Sequence, residues 1–367
     1  MKGKRIGLVT WYYGLNYGST LQAFALCRKL RNLGHKAVII REFIYPLTLR
    51  NVKVNFFTRY GIKRKKPFTE CPYPVKRQRF MEFFKKEVPS YLPFEPIRFA
   101  LFRRRTDVFM TGSDQLWNCY DHFRGLEFLD FVHGVKKVSY ATSIGTGNIP
   151  EEYQDAVRAY LSEYSHISVR EKSAEQELKR VTGRDDIRTV LDPTFLLSAE
   201  EWREFASGAA GDLNLPDKYI FCYLLRKDFD YSEVIATVKS LTGVDNVILL
   251  PSSENPGISV PGCIRCENAG PKEFIKALDK AAFVLTDSFH GSALSINLGK
   301  QFANLKRFAD DDPKSQNSRL YDLADLFGLK PRFLEDGFPE TIDFKAVHRK
   351  LEALREDSVS YLKHIIE

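Results

Sequence analysis

KRIGLVTWYYGLNYGSTLQAFALCRKLRNLGHKAVII, residues 4–40, is the stretch whose reading decides the fold. It opens as a short apolar strand, KRIGLVTWYY, and turns at GLNYGS (14–19). The period then changes. Leu21, Phe24, Ala25 and Leu30 recur at helical spacing, and Gly34 can end the helix. KAVII (36–40) is a second strand. Strand, helix and strand in this order make a βαβ unit, for which a parallel sheet is the economical arrangement.

Downstream the rhythm recurs. TDVFMTGSD (106–114) and KKVSYATSIG (136–145) each read as a strand running out into small polar residues. A helix is expected over 151–164, a short strand in SHISVRE (165–171), and a capping box at Ser173-x-x-Gln176 opening the next helix. ASGAAGDLNLPDK (206–218) is rich in small and turn residues and is the expected linker between residues 1–205 and 219–340. Beyond it come strand YIFCYLL, helix DYSEVIATVKSLTG, strand NVILLP, helix PKEFIKALDKA, strand AFVLTD, a helix near 290–298 and strand QFANL. Residues 341–367 read as a closing amphipathic helix. The fold class is α/β, with two Rossmann-like domains facing a cleft. In such sheets ligands bind outside the carboxyl ends of the strands, so the loops after strands should carry the chemistry.

Composition sets limits. The 367 residues, 44% hydrophobic and 28% charged, suffice for two packed cores and argue against disorder. No run of 18 apolar residues is present, and the first residues do not form a secretory signal. The six Cys are too scattered for a disulfide scaffold, so the expected compartment is the cytoplasm. Net charge is +8, yet residues 50–105 alone carry 16 Lys/Arg against 4 Asp/Glu, leaving the rest of the chain acidic. The region of about 45–105 is expected to be an irregular, Pro-punctuated basic insertion interleaved with aromatics. It is either a solvated face with its Phe residues in the core or a surface for an anionic membrane. No nucleic-acid motif is present, so nucleic acid is not an expected partner.

Candidate site residues follow from the strand ends. In AFVLTDSFHGSALSINLGK (282–300) a buried strand runs out at Asp287, Ser288 is a good N-cap, and Gly291 permits close backbone approach. With Ser292 they frame a helix start whose N–H groups suit an anion. His290, in that first turn, is a candidate general acid or phosphate partner, the plain alternative being a hydrogen-bonded capping-turn histidine. In GSDQLWN (112–118), Asp114 is a candidate base or a helix cap, Gln115 and Asn118 candidate sugar ligands, and Trp117 a stacking platform or core. Asn16, Gly18 and Ser19 form a loop resembling a phosphate or sugar loop without a Walker lysine. Arg170 is an anion clamp or the salt-bridge partner of Glu171. Arg319 reads first as a helix anchor. Cys263-x-x-Cys266 lacks a second ligand pair, so no metal is expected.

Together GLNYGSTLQAFAL, GSDQLWN, SYATSIG, SVRE, LDPTFLL, AGPKEFI, TDSFHGSALSI and NSRLYDL resemble the polysaccharide pyruvyl transferase family, in order from residue 14 to 323. The resemblance implies a fold similar to the GT-B glycosyltransferases, with the acceptor on the N-terminal side and the donor on the C-terminal side. It implies transfer of pyruvate from phosphoenolpyruvate, the donor substrate, to two hydroxyls of a sugar, which can be lipid-linked. The products are a cyclic ketal and phosphate, in polysaccharide, exopolysaccharide or capsule biosynthesis, with no cofactor. It implies an essential histidine at His290 and an anion-binding arginine at Arg170. Some members carry Arg where this chain has Ser288, so Arg226, Lys227 and Arg319 become candidates for the missing cation. The readings that compete are a nucleotide-sugar glycosyltransferase of the same architecture and a non-enzymatic sugar- or membrane-binding module.

Overall fold

The computed structural model describes residues 3–12, 14–41, 48–59, 72–91, 96–121 and 123–367. Its first part runs β1 (Arg5–Val9), α1 (Tyr17–Asn32), β2 (Lys36–Ile40), α2 (Leu49–Arg59), α3 (Pro74–Glu87), β3 (Ser90–Tyr91), α4 (Pro96–Arg104), β4 (Val108–Thr111) and β5 (Lys136–Ser139). These strands form one parallel sheet in the order β3-β2-β1-β4-β5. Then come α5 (Glu151–Ser162), β6 (Ser168–Val169), α6 (Lys172–Thr182), β7 (Arg188–Thr189) and α7 (Ala199–Ser207), with β6 and β7 pairing as a small ribbon.

The second part repeats the plan. It contains β8 (Ile220–Tyr223), α8 (Ser232–Thr242), β9 (Val247–Leu249), β10 (Cys263–Arg265), α9 (Pro271–Lys280), β11 (Phe283–Thr286), α10 (Phe289–Leu298) and β12 (Phe302–Asn304). Its sheet is also parallel, in the order β10-β9-β8-β11-β12. Helices α11 (Ser318–Phe327) and α12 (Phe344–Ile366) close the chain. β4, β8 and β11 are buried at every position, which is why they read as unbroken apolar runs rather than alternating ones. In each sheet the strand order reverses beside the first strand, between β1 and β4 and between β8 and β11. Those two crevices are where an open sheet presents its loops to a ligand.

Three local expectations are corrected. The described parts of the 45–105 region are not irregular: α3, β3 and α4 belong to the first unit, and β3 pairs in parallel with β2. Pro74 sits in the first turn of α3, where its missing N–H costs nothing. Phe80, Phe83 and Phe84 are buried against Tyr17, Phe24 and Tyr12, with centroids 5.2–5.5 Å apart. The basic run 63–66 lies outside the described residues. Ser173-x-x-Gln176 makes no capping box, because Ser173 N and Oγ both donate to Asp322 Oδ2 at 3.0 and 2.6 Å. The box forms at Ser198 and Glu201 instead. Helix α1 also starts earlier than expected, at Tyr17, because the Asn16 side chain caps it by accepting from Ser19 N at 3.1 Å.

The units share one apolar core in which Leu21 and Phe24 from the first join Phe274, Leu278 and Ile296 from the second. Two helices also cross between them. The buried Lys76 on α3 donates to Pro251 O at 2.5 Å, and Arg79 pairs with Asp212 at 2.8 Å. On α12, Arg355 donates to Phe195 O at 2.6 Å and to Asn297 Oδ1 at 3.1 Å.

Candidate active site

The loop after β11 is fixed from below. Thr286 Oγ1 donates to Tyr223 O at 2.6 Å, and the Asp287 carboxylate accepts the N–H groups of Leu225 and Arg226 at 2.7 Å each. This ties the two strand ends flanking the second crevice together. Burial pushes the Asp287 carboxyl up to about 6, against the opposing pull of the Arg307 guanidinium and of those N–H groups. Ser288 caps α10 by accepting from Gly291 N at 3.4 Å. A Cβ on Gly291 would lie 2.4 Å from Thr286 Oγ1, so only glycine packs there. Ser292 accepts from Asn304 Nδ2 at 2.7 Å and is buried. Gly291 and Ser292 therefore shape the turn and do not line the cavity above it.

His290 points from this turn to the seam between the two units. Its Nδ1 edge lies against Gly18, where a Cβ would come within 2.3 Å. Its Nε2 is 3.6 Å from Asp192 Oδ2 and 3.5 Å from Arg170 Nη1. Asp192 is held firmly: Thr194 N and Oγ1 donate to its Oδ1 at 2.9 and 2.7 Å, and Ser113 Oγ donates to its Oδ2 at 2.8 Å. Burial pushes the Asp192 carboxyl up. The neighbouring His290, then Arg170 and Thr194 N, outweigh that and hold it well below the usual carboxylate range.

Sequence reading offers Arg170 as an anion clamp and His290 as a general acid or phosphate partner, and the structure brings the two side chains within 3.5 Å of each other. Arg170 nevertheless stands behind the histidine rather than on the cavity wall. Its side chain is 0% exposed, paired with Glu171 at 2.5 Å and Asp192 at 3.2 Å, and its guanidinium lies 4.1 Å from the Phe289 ring centroid. Burial lowers its pKa, but Glu171, Asp192 and Asp114 together hold it well above the usual value. The salt-bridge reading of Arg170 is thus met, with a second carboxylate that the sequence did not disclose.

A cavity of about 350 Å³ opens in front of His290, and both units line it. The first unit supplies Trp11, Tyr12, Asn16, Ser19, Asp114, Gln115 and Asp121; the second supplies Glu254, Ser288, His290, Arg307, Gln316 and Arg319. Asp114 lies in left-handed backbone (φ 82°), and its carboxylate accepts Ser19 Oγ at 2.5 Å and Gln115 N at 2.9 Å. No helix follows it, so it is not a helix cap. Two bonds span the cavity between units: Asn16 Nδ2 to Glu254 Oε1 at 2.5 Å and Gln115 Nε2 to Gln316 Oε1 at 3.1 Å. The same Gln316 Oε1 accepts from Arg319 Nη2 at 2.7 Å. Burial, reinforced by the charge of Arg170, lowers Arg319 to about 9 against the pull of Glu171.

Other expectations are redirected. Trp117 is core, not a platform: it is buried, stacks on Phe128 with centroids 5.6 Å apart, and donates Nε1 to Glu127 O at 3.1 Å. Asn118 is buried behind the wall, donating to Gln115 Oε1 and Asp121 Oδ2 at 3.0 Å each. Gly18 contributes only the space that His290 fills. Arg226 donates to Lys306 O and stacks on Phe229, and neither it nor Lys227 lines the cavity, so among the described residues the cations there are Arg319 and the unanticipated Arg307. Trp11, Asp121, Asp192, Glu254 and Arg307 were all missed. Only Asp192 carried a local signal, an Asp-Pro-Thr sequence that forms an Asx cap. Among the described residues no His, Cys, Asp and Glu cluster could hold a metal, and no helix is long and apolar enough to cross a membrane.

The family described as polysaccharide pyruvyl transferase matches residues 16–307, and the chain belongs to that family. Among curated proteins the sequence search finds no match. Solved structures similar in overall arrangement include a glycosyltransferase from Rickettsia africae (11% identity, 100% of both chains covered, TM-score 0.48). The UDP-GlcNAc 2-epimerase from Methanocaldococcus jannaschii is 14% identical over 97% of this chain and 100% of that one, with TM-score 0.47. MurG from Acinetobacter baumannii is 8% identical over 99% of each chain, with TM-score 0.43.

Proposed function

We propose that this family member transfers pyruvate from phosphoenolpyruvate to two hydroxyls of one sugar, giving a cyclic ketal and inorganic phosphate. The observation that carries the reading is the cavity wall of the second unit, where His290, Arg307 and Arg319 face one small space beside the start of α10. A three-carbon molecule bearing a carboxylate and a phosphate needs cations from more than one direction, and guanidinium groups match both anions in geometry.

The first step adds a proton to C3 of the donor while a sugar oxygen bonds to C2 and loses its own proton. His290 supplies the C3 proton, and Asp114, held by Ser19 and Gln115 N, accepts the hydroxyl proton. The C2–O bond to phosphate then breaks, and phosphate leaves with the bonding pair toward Arg307 and Arg319. The second hydroxyl attacks C2, returns a proton to His290 and closes the ketal, while the proton held by Asp114 leaves with the phosphate. Arg170 acts through His290. With Asp192 it fixes the ring against Gly18, so that the acid does not have to be oriented during the reaction.

Phosphate release from phosphoenolpyruvate in the presence of a candidate glycan tests this directly. The expected result is acceptor-dependent phosphate with one pyruvyl ketal per phosphate. Stabilisation by nucleotide sugars but not by phosphoenolpyruvate in thermal-shift assays would instead select the glycosyltransferase reading.

A lipid-linked acceptor fits a second feature. On α4, Ile97 is 77% and Leu101 46% exposed, beside the exposed Arg98, Arg104 and Arg105. Apolar side chains interleaved with arginines suit the anionic face of a bilayer. This would place the enzyme at the inner face of the cytoplasmic membrane. Sedimentation with phosphatidylglycerol vesicles that weakens with salt is expected, and failure to bind them at low salt removes the docking role.

A further inference from the structure

The two walls of the cavity differ in kind. Among the described residues its cationic side chains and its histidine come from the second unit, where Glu254 accepts from Asn16 and lies 3.8 Å from Arg307, whereas the first unit brings Trp11, Tyr12 and the carboxylates of Asp114 and Asp121. The Trp11 indole is fixed in place, because its Nε1 donates to Glu127 Oε1 at 3.1 Å. Asp121 is likewise held, accepting from Asn118 Nδ2 at 3.0 Å. An aromatic ring beside acceptor-only carboxylates recognises a molecule with an apolar C–H face and several O–H or N–H donors around its rim. A pyranose ring has that form.

We infer that this first-unit wall is the acceptor subsite, and that it selects a neutral or amino sugar and rejects a uronate. The inference rests on the transferase reading above and deepens it by naming the acceptor class. The reason for rejection is electrostatic. A uronate placed on Trp11 would bring its carboxylate against the buried Asp114, where like charges are costly, with the exposed Asp121 adding a weaker, water-screened repulsion at the rim. The hydroxyls of a neutral sugar, or the ammonium of an amino sugar, donate to the same oxygens. The cavity volume of about 350 Å³ suits one ring plus a three-carbon donor rather than an extended glycan.

Saturation-transfer NMR on the full chain without any donor tests the subsite independently of the transfer reaction. The probes are methyl glycosides of glucose, galactose, mannose and glucosamine, set against methyl glucuronide and methyl galacturonide. At least one neutral or amino glycoside should bind about tenfold more tightly than either uronide. Trp11→Ala should weaken that binding about tenfold, with Trp11→Phe restoring most of it. Asp121→Asn should narrow the neutral-to-acidic ratio without requiring any change at the ring. Equal binding of neutral and acidic glycosides, or an undiminished signal in Trp11→Ala, overturns the inference. Stabilisation of the same samples by phosphoenolpyruvate is measured in parallel. Its absence in the native protein defeats the donor assignment and leaves the sugar result standing, whereas its presence in Trp11→Ala shows that the variant is folded.

Discussion

The two sheets share one strand order, and their crevices open on the same cavity, yet the loops that leave them differ in charge, the cations of the second wall being accompanied there by Glu254, 3.8 Å from Arg307. Behind the cavity, the first unit spends Arg170 on two buried carboxylates and keeps Asp114 and Asp121 on the wall. Above the other sheet, Asp287 is buried in backbone N–H groups while Arg307 and Arg319 face the cavity. Topology therefore fixes where the ligands meet, and the loop residues decide which charge meets them.

Substitutions on the two walls can break this contrast. The largest effect is expected at His290, where Ala should lower turnover by about 10²–10⁴-fold in a phosphate-release assay. His290→Gln separates proton transfer from hydrogen bonding alone, and near-native turnover in it would reduce the histidine to a phosphate partner. Asp114→Asn should cost about 10² in kcat with the donor KM little changed; a change confined to the acceptor KM would make it a binding group only. Gly18→Ala sharpens the contrast at the seam. Its methyl would meet the His290 ring, so turnover should fall by about tenfold or more and Tm by a few degrees.

The smallest effect is a pH slope. Asp287 has its folded pKa raised to about 6, above the ordinary value. Between about pH 4 and 6 the folded protein therefore binds more protons than the unfolded chain, and this group's contribution to stability is lost as pH rises through that window. It amounts to about 3 kcal/mol at most. Asp287→Asn should flatten the corresponding part of a Tm-against-pH curve, and an unchanged slope would show that the carboxylate is already ionised when folded.

Strands such as FVLT (283–286) were legible because a strand buried on both faces is apolar at every position. Helices α3 and α4 were not, because alternating basic and aromatic residues look like a surface patch until one sees which Phe face inward. His290 and Asp114 were found at strand ends, where topology concentrates function. Asp192 was not, since its partner His290 is distant in the chain and only folding brings the two together. Trp117 and Trp11 show the limit most plainly. Both stand near polar loops, and nothing local says that the first is core and the second lines the cavity.

The apolar core shared by Phe24 and Phe274, crossed by α3 and α12, has a consequence for denaturation. Neither sheet can melt without stripping contacts from the other, so the molecule should behave as one cooperative unit with a single calorimetric endotherm. Damage deep in either unit would then be felt as a loss of catalysis, even where every side chain around the cavity is intact.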